Sequence, residues 1–512
     1  MSAARPTTRP DGAPATDGAP DAVAALGRVH LVGIGGAGMS AIAALLAARG
    51  LTVSGSDARD SAVVGALRDA GVVVHVGHDA AHVRGADTVV VSSAVRETNP
   101  ELAAARAAGL RVMHRSGALA ALMADRRSVA VAGAHGKTTT SAMVAVALLA
   151  AGAEPSYAIG GTVLAADTGA GAPASGPLAG ARHGAGDVFV AEADESDGSF
   201  LAYTPTVAVV TNVEPDHLDH YGTREAFEAA FEQFADRVAD GGALVACADD
   251  PGSRRLLTAA GARLAARGVR TLGYGEDPSA DVVVSGYRPG AGAGSTATLR
   301  TVHPALVGDD GAAVQVDLDL AVPGAHNALD AAAAWTAARL LGAAPGDVRR
   351  GLAAFRGTGR RFEERGTAGG VRVVDDYAHH PTEVAALLRA ARPVAGDGRV
   401  LVLFQPHLYS RTRTFAAEFA TALDLADVAV VTDVYAARED PDPAVTGASI
   451  TDLAPRPGTA EHVPDRQAAA RRIAALARPG DLVLTVGAGD VTELGPVVLA
   501  ALADALPDRD DR

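Results

Sequence analysis

The sequence predicts an α/β protein of three domains, each built on alternating strands and helices around a largely parallel sheet. Three observations carry that prediction. At 512 residues, 48% hydrophobic and 21% charged, the chain can bury more than one core and exceeds the usual size of one domain. Two glycine-rich turns, GIGGAG and GAHGKTTT, each stand between an apolar strand-like run and an Ala-rich helix-like run, the signature of a βα unit opening on a ligand. A third series of strand-like runs near the C-terminus ends in polar clusters, as strands do when their carboxyl ends line a site.

Residues 1–24 are polar and rich in Pro and Gly and read as a disordered tail. The first domain is expected over 25–126 and to be Rossmann-like. RVHLVGI gives a strand, GGAG a turn and MSAIAALLAARG a helix closed by Gly50; LTVSGSD and the runs 72–76 and 88–92 add strands. The second domain is expected over 127–358 as a P-loop ATPase-like α/β unit. SVAVAG leads into the second glycine turn and the helix SAMVAVALLAAG, followed by the strands DVFVAEAD, TVAVVTNV, ALVACADD and VRTLGYG. A β-rich stretch then runs to Val322, before the helix ALDAAAAWTAARLLG. Residues 165–186 are nearly all small or Pro and read as a flexible loop without chemistry. The third domain, 359–512, is again expected to be Rossmann-like, with strands VRVVDDY, RVLVLF, VAVVTDVY and LVLTVG.

Charge and cysteine content narrow the function. A net charge of −15 argues against broad attraction to nucleic acid or anionic membrane. No apolar run reaches the roughly 20 residues that cross a bilayer. One cysteine, Cys247, makes no internal disulfide, and the N-terminus lacks the apolar core of a signal peptide, so a cytoplasmic protein is expected. Forty-four of the 45 basic residues are arginine; the one lysine is Lys137. Lysine retained against such a bias marks a place that needs a compact ammonium on a flexible stem.

Lys137 falls inside GAHGKTTT, Gly133 to Thr140. Backbone amides of Gly133, Ala134, His135, Gly136 and Thr139 at a helix start suit phosphate oxygens; Lys137 adds a point charge, and Thr138 a hydroxyl for a magnesium ion. Only two residues separate the glycines, so the loop is shorter than GxxxxGK[ST]. The first turn places Gly33, Gly35 and Gly38 in a GxGxxG pattern, with Asp57 ending the next strand. That geometry suits a pyrophosphate between two sugars, whether a dinucleotide or a nucleoside-diphosphate sugar. An NAD-dependent oxidoreductase is therefore the alternative from another class, although it leaves GAHGKTTT and the acidic clusters unused. AEADESDGSF and TNVEPDHLDHY end strands with Glu192, Asp194, Glu195, Asp197, Glu214, Asp216 and His217, candidates for metal binding and proton transfer. DDYAHHPTE and QPHLYSRTRT bring His379, His380, His407, Arg411 and Arg413 to strand ends in the third domain, where they suit phosphate charge or a carboxylate.

Taken in order, HLVGIGGAGMS, GAHGKTTT, EADESDGSF, TNVEPDHLDHY, PGAHN, RRFE, DDYAHHPTE, FQPHLYSRT and VYAARED resemble the Mur ligases of peptidoglycan synthesis, over about residues 28 to 490. The resemblance implies an N-terminal domain for a UDP-sugar, a central domain for ATP and a C-terminal domain that closes with the amino acid. It implies ATP and Mg2+ as cosubstrate and cofactor, with UDP-N-acetylmuramate and L-alanine as substrates. The lactyl carboxylate would be phosphorylated by ATP and the acyl phosphate attacked by the alanine amine. The alternative within the family is the recycling enzyme that adds a tripeptide to the same sugar nucleotide; GIGGAGM argues against it. A homodimer is left open.

Carried over by motif, Lys137, His217, His379 and Arg411 would be catalytic. Thr138, Glu192 and His217 would hold magnesium. Asn327, Arg361 and Asp376 would join the loop in binding ATP, and Gly35, Gly36, Gly38, Ser40, Asp57 and Ser92 would face the UDP-sugar. Departures are Ala134 where relatives commonly have Thr, Asp330 where they often have Asn, and Leu408 where some have Arg. Several sister ligases use a carbamylated lysine for their second magnesium. This chain offers no lysine outside the loop.

Overall fold

The computed structural model describes residues 22–167, 173–290, 292–307, 311–437 and 439–506, without the side chains of residues 218 and 219. Almost all of the tail expected over 1–24 lies outside the described residues. Its last residues already pack, with Val23 buried.

The first sheet is parallel throughout, in the order β3-β2-β1-β4-β5. Its strands are β1 (Val29–Val32), β2 (Val53–Asp57), β3 (Val73–Val76), β4 (Thr88–Val91) and β5 (Arg111–His114). Strand order reverses beside β1, which puts the turn after β1 at the crevice where open α/β sheets bind ligands. No strand is expected at β5 from the sequence. RVMH is short and its burial only partial, so an apolar run is missing.

The second sheet has ten strands, in the order β16-β15-β14-β13-β12-β11-β6-β10-β7-β9. They are β6 (Arg127–Ala132), β7 (Ser156–Ala158), β9 (Ala181–Arg182), β10 (Val188–Glu192), β11 (Val207–Val210), β12 (Ala243–Cys247), β13 (Arg270–Gly275), β14 (Val282–Pro289), β15 (Ser295–Thr301) and β16 (Val314–Leu320). Its centre, β12-β11-β6-β10-β7, is parallel and apolar on both faces, as a sheet covered by helices requires. β14, β15 and β16 form an antiparallel edge whose alternating burial matches one wet face. The strand β8 (Val163–Ala165) pairs with β17 (Phe355–Thr358), tying the end of this unit to its start.

The third sheet runs β18-β19-β23-β20-β21-β22 and is parallel except at β18-β19. It comprises β18 (Glu363–Ala368), β19 (Val371–Asp376), β20 (Val400–Phe404), β21 (Val428–Val431), β22 (Ala460–His462) and β23 (Leu482–Val486). Two apolar clusters cover its faces. The carboxyl ends of β1, β6, β10, β11, β19 and β20 lead into the loops that make the site.

Candidate active site

The phosphate loop forms because β6 runs into a turn with two glycines, Gly133 and Gly136, that adopt backbone closed to other residues. Gly133 has φ 135, and a Cβ there would lie 2.1 Å from Thr211 Oγ1. Gly136 has φ 81 and caps the helix Lys137–Ala150, whose first amides have no partner within the helix. Asn212 Oδ1 accepts from the His135 amide at 3.0 Å, while Thr211 Oγ1 and Asn212 Nδ2 donate to the His135 carbonyl at 2.5 and 3.0 Å. Lys137 Nζ folds back onto Gly133 O (2.6 Å), Ala134 O (3.2 Å) and Glu195 Oε1 (2.9 Å). The ammonium is thus held at the mouth of the loop.

Acidic groups from the ends of β10 and β11 surround it. Thr138 Oγ1 lies 3.0 Å from both oxygens of Glu192, whose Oε2 also accepts from the Gly160 amide at 2.8 Å. This is an all-oxygen donor pair of the kind Mg2+ prefers. Glu195 is fully buried, and burial pushes its pKa up to about 7, with the Asp194 charge adding and Lys137 opposing. His217 sits at φ 53, with Nε2 3.6 Å from both Glu195 Oε1 and Asp216 Oδ2. Burial pushes its pKa down to about 4, so the ring is neutral at pH 7 and able to ligate. Asp216 accepts from Arg411 Nη2 at 2.9 and 3.0 Å, a buried pair between the second and third units. Although burial opposes it, Arg411 holds Asp216 well below the usual carboxylate range.

Two cavities open from the loop. One, of about 290 Å³, is lined by His135, Gly136, Thr138 and Thr139, by Asn327, Asp330, Arg361 and Asp376, and by apolar Val322, Phe355 and Leu387. Asn327 Nδ2 donates to Pro323 O (2.6 Å), and Asp376 accepts from the Phe362 and Ala378 amides at 2.8 Å each. Burial raises Asp376 to about 6 and Asp330 to about 7, the latter despite a 2.9 Å hydrogen bond from Thr140. An apolar wall with a few fixed polar groups is the composition of a small-molecule site.

The other cavity, of about 640 Å³, brings the three units together. Lys137, Thr138, Glu192, His217, His379 and Arg411 line it, with Ala134, Gly35 and Ser40. All four candidate catalytic residues and all three candidate magnesium ligands therefore share one cleft. Gly133, Gly36, Gly38, Asp57 and Ser92 do not line either cavity. Gly133 lies against Thr211, and Asp57 instead braces the first glycine turn, accepting from the Gly35 amide at 2.9 Å. His217, Arg360, Phe362 and Leu408 have positive φ and line the two cavities, so strained backbone gathers at the site.

Several site residues escape a reading of the sequence. Arg115, after β5, reaches Asp194 Oδ2 at 2.6 Å and bridges the first two units. Glu383 accepts from the His379 amide (2.9 Å), lies 3.4 Å from His135 Nδ1 and 3.6 Å from Arg361 Nη1. Its signal was present as the last residue of DDYAHHPTE. The segment 165–186, expected to be a loop without chemistry, supplies Pro177, Leu178, Gly180 and Ala181 to the large cleft. Its small residues permit close backbone approach; a Cβ on Gly180 would lie 2.5 Å from Ile159 O. Residues 168–172 of it lie outside the described set.

Fold and cleft together define a three-domain α/β enzyme with one cleft lined by all three units. The chain belongs to the Mur ligase family, whose members are ATP-using ligases. It matches the descriptions "Mur ligase family, catalytic domain" over residues 28–127, "Mur ligase middle domain" over 131–338 and "Mur ligase, glutamate ligase domain" over 360–489. It is 62% identical to a UDP-N-acetylmuramate–L-alanine ligase of Kineococcus radiotolerans, covering 96% of this chain and 99% of the relative. It is 55% identical to the Saccharopolyspora erythraea enzyme of the same name, covering 94% of each. The crystal structure of UDP-N-acetylmuramate-alanine ligase from Thermotoga maritima superposes with TM-score 0.73 at 28% identity, covering 93% of this chain and 99% of that one.

Proposed function

We propose that this protein joins L-alanine to the lactyl carboxylate of UDP-N-acetylmuramate, with hydrolysis of ATP to ADP and phosphate, in the cytoplasmic stage of peptidoglycan synthesis. The observation that carries this is the shared cleft. The phosphate loop, the first glycine turn and the Arg411 helix all face one cavity of about 640 Å³.

The chemistry follows from what a carboxylate lacks. It cannot expel oxide, so ATP must first convert it to an acyl phosphate, and the protein's part is positioning and charge neutralisation. The loop amides and Lys137 hold the phosphates, while Asn327, Arg361 and Asp376 hold the adenosine end in the smaller cavity. Thr138, Glu192 and His217 are the residues that would hold Mg2+, which when bound neutralises phosphate charge. Gly35 and Ser40 present the start of the helix Ala37–Ala48 to the sugar nucleotide, and a helix start favours its pyrophosphate. Arg411, oriented by Asp216, and His379 stand where the acyl phosphate meets the amine. Closure of the third domain keeps water away from that intermediate.

The test is direct. Purified protein with ATP, Mg2+ and UDP-N-acetylmuramate should release phosphate and form an amide with L-alanine. Product formed only when a tripeptide replaces alanine would overturn the assignment in favour of the recycling reaction.

A further inference from the structure

Beside the phosphate loop lies a second cluster whose side chains suit a different ion. His135, Glu214 and His380 each bring a ligand atom within 4.8 Å of the others, the one such group of His, Cys, Asp or Glu among the described residues. They come from three separated segments: the loop itself, the turn after β11, and the N-cap of the helix Pro381–Ala395 in the third domain. The Thr138–Glu192 pair is not part of it.

Donor chemistry sets the class of ion. Two imidazoles and a carboxylate favour a zinc-class dication, whereas Mg2+ takes oxygen ligands. The surrounding charge agrees with that. His135 lies between two carboxylates, with Nε2 3.1 Å from Glu214 Oε2 and Nδ1 3.4 Å from Glu383 Oε1. Positive charge is already favoured at this point, and two carboxylates would neutralise a dication. His380 is 2% exposed, and its ring centroid lies 4.7 Å from that of His135. Its Nδ1 makes only a long 3.4 Å contact with the Thr382 amide, and its Nε2 is buried without a hydrogen-bond partner. A buried polar atom left so is unfavourable, and a ligand would relieve it. Thr382 Oγ1 fixes the other oxygen of Glu214 at 2.6 Å, so the carboxylate is already oriented.

We propose that His135, Glu214 and His380 form a binding site for a zinc-class transition-metal ion, which staples the phosphate loop to the third domain. The site is separate from the magnesium ligands and does not depend on which amino acid the enzyme uses.

The experiment titrates the full-length, metal-stripped, nucleotide-free protein with Zn2+ alone against a chromophoric zinc indicator. One ion per chain is expected. His380→Gln and Glu214→Gln should each weaken binding at least about tenfold, and Glu192→Gln should leave it within about twofold. X-ray absorption on the unsubstituted zinc complex should show two imidazoles in the metal's shell, a readout independent of whether any variant folds. Unchanged zinc affinity in both His380→Gln and Glu214→Gln, loss of binding in Glu192→Gln, or a shell without imidazole would overturn the site.

Discussion

The two glycine turns of this chain look alike in sequence and differ in what surrounds them. Both leave a buried strand and open a helix. In the first, the Gly33 and Ile34 amides donate to Ser56 O at 2.8 and 2.9 Å, and Gly35 donates to Asp57. The charge behind it is buried: Ser56 Oγ donates to Glu101 at 2.5 Å, and His78 and His82 approach the same carboxylate at 3.1 and 2.7 Å. Burial opposes the charge on Glu101, but these hydrogen bonds, with His30, hold its pKa down to about 2. In the second turn charge faces the cleft instead, in Lys137 and Glu192. A glycine pattern therefore tells where backbone must turn tightly, while the placement of charge distinguishes the two turns.

The largest effect that tests this contrast is at Lys137. Arg is longer, planar and forked, and does not fit three acceptors converging on one ammonium. Lys137→Arg should lower turnover by at least roughly 10²–10³-fold, the scale of losing a charge-stabilising donor. Isothermal titration should find UDP-sugar affinity nearly unchanged, because the first turn is untouched. A fully active variant would sink the argument from the single lysine.

Next come the glycines themselves. Gly133→Ala combines left-handed backbone with a Cβ 2.1 Å from Thr211 Oγ1 and should cost roughly 3–5 kcal/mol. Gly33→Ala has φ 75 but no atom within 4 Å, so only the backbone term remains, about 1–2 kcal/mol. Denaturant unfolding of the two variants should show that order; equal losses would mean the second turn is no more crowded than the first.

How much of this was legible in the sequence follows the same division. Periodic apolar runs and glycine turns marked most strands of all three sheets, because a buried parallel strand must be apolar and a phosphate turn must be small. β5 and the β8–β17 pair were invisible, since short, partly buried strands acquire their character from tertiary partners. At the site, Lys137, Thr138, Glu192, His217, His379 and Arg411 lie in contiguous motifs and proved to share one cleft. Arg115 and the Pro177–Ala181 wall did not stand out. Their role depends on which segments the fold brings together, and no local spacing encodes that.

A smaller effect concerns Asp330, whose Oδ1 would lie 2.8 Å from a Cβ on Gly136. Among the described residues, no buried acid packs so against Gly33. The Asp330 pKa is raised by burial from the ordinary carboxylate range to about 7. Between those values the folded protein keeps a proton that the unfolded chain has released, so stability falls as pH rises through that window. A carboxamide at this position does not titrate. In the nucleotide-free protein, Asp330→Asn should gain roughly 2–3 kcal/mol on the unsubstituted chain between pH 5 and pH 8, read by denaturant unfolding at both values. Parallel stability curves would show that Asp330 is solvated rather than desolvated against the loop.

The smallest expected effect is none at all, and it tests whether the second turn is complete as built. The helix Arg224–Asp236 follows His217 where sister ligases place a lysine for carbamylation, and it carries none; Phe227, Phe231 and Phe234 bury its inner face. Neutral His217, Glu192 and phosphate oxygens are then the groups that would hold a second magnesium. Turnover in bicarbonate-depleted buffer under nitrogen should match turnover with bicarbonate added. A dependence on bicarbonate would require carbamylation of Lys137 itself. That would remove the ammonium from the loop, and with it the charge that Lys137 brings to the second turn.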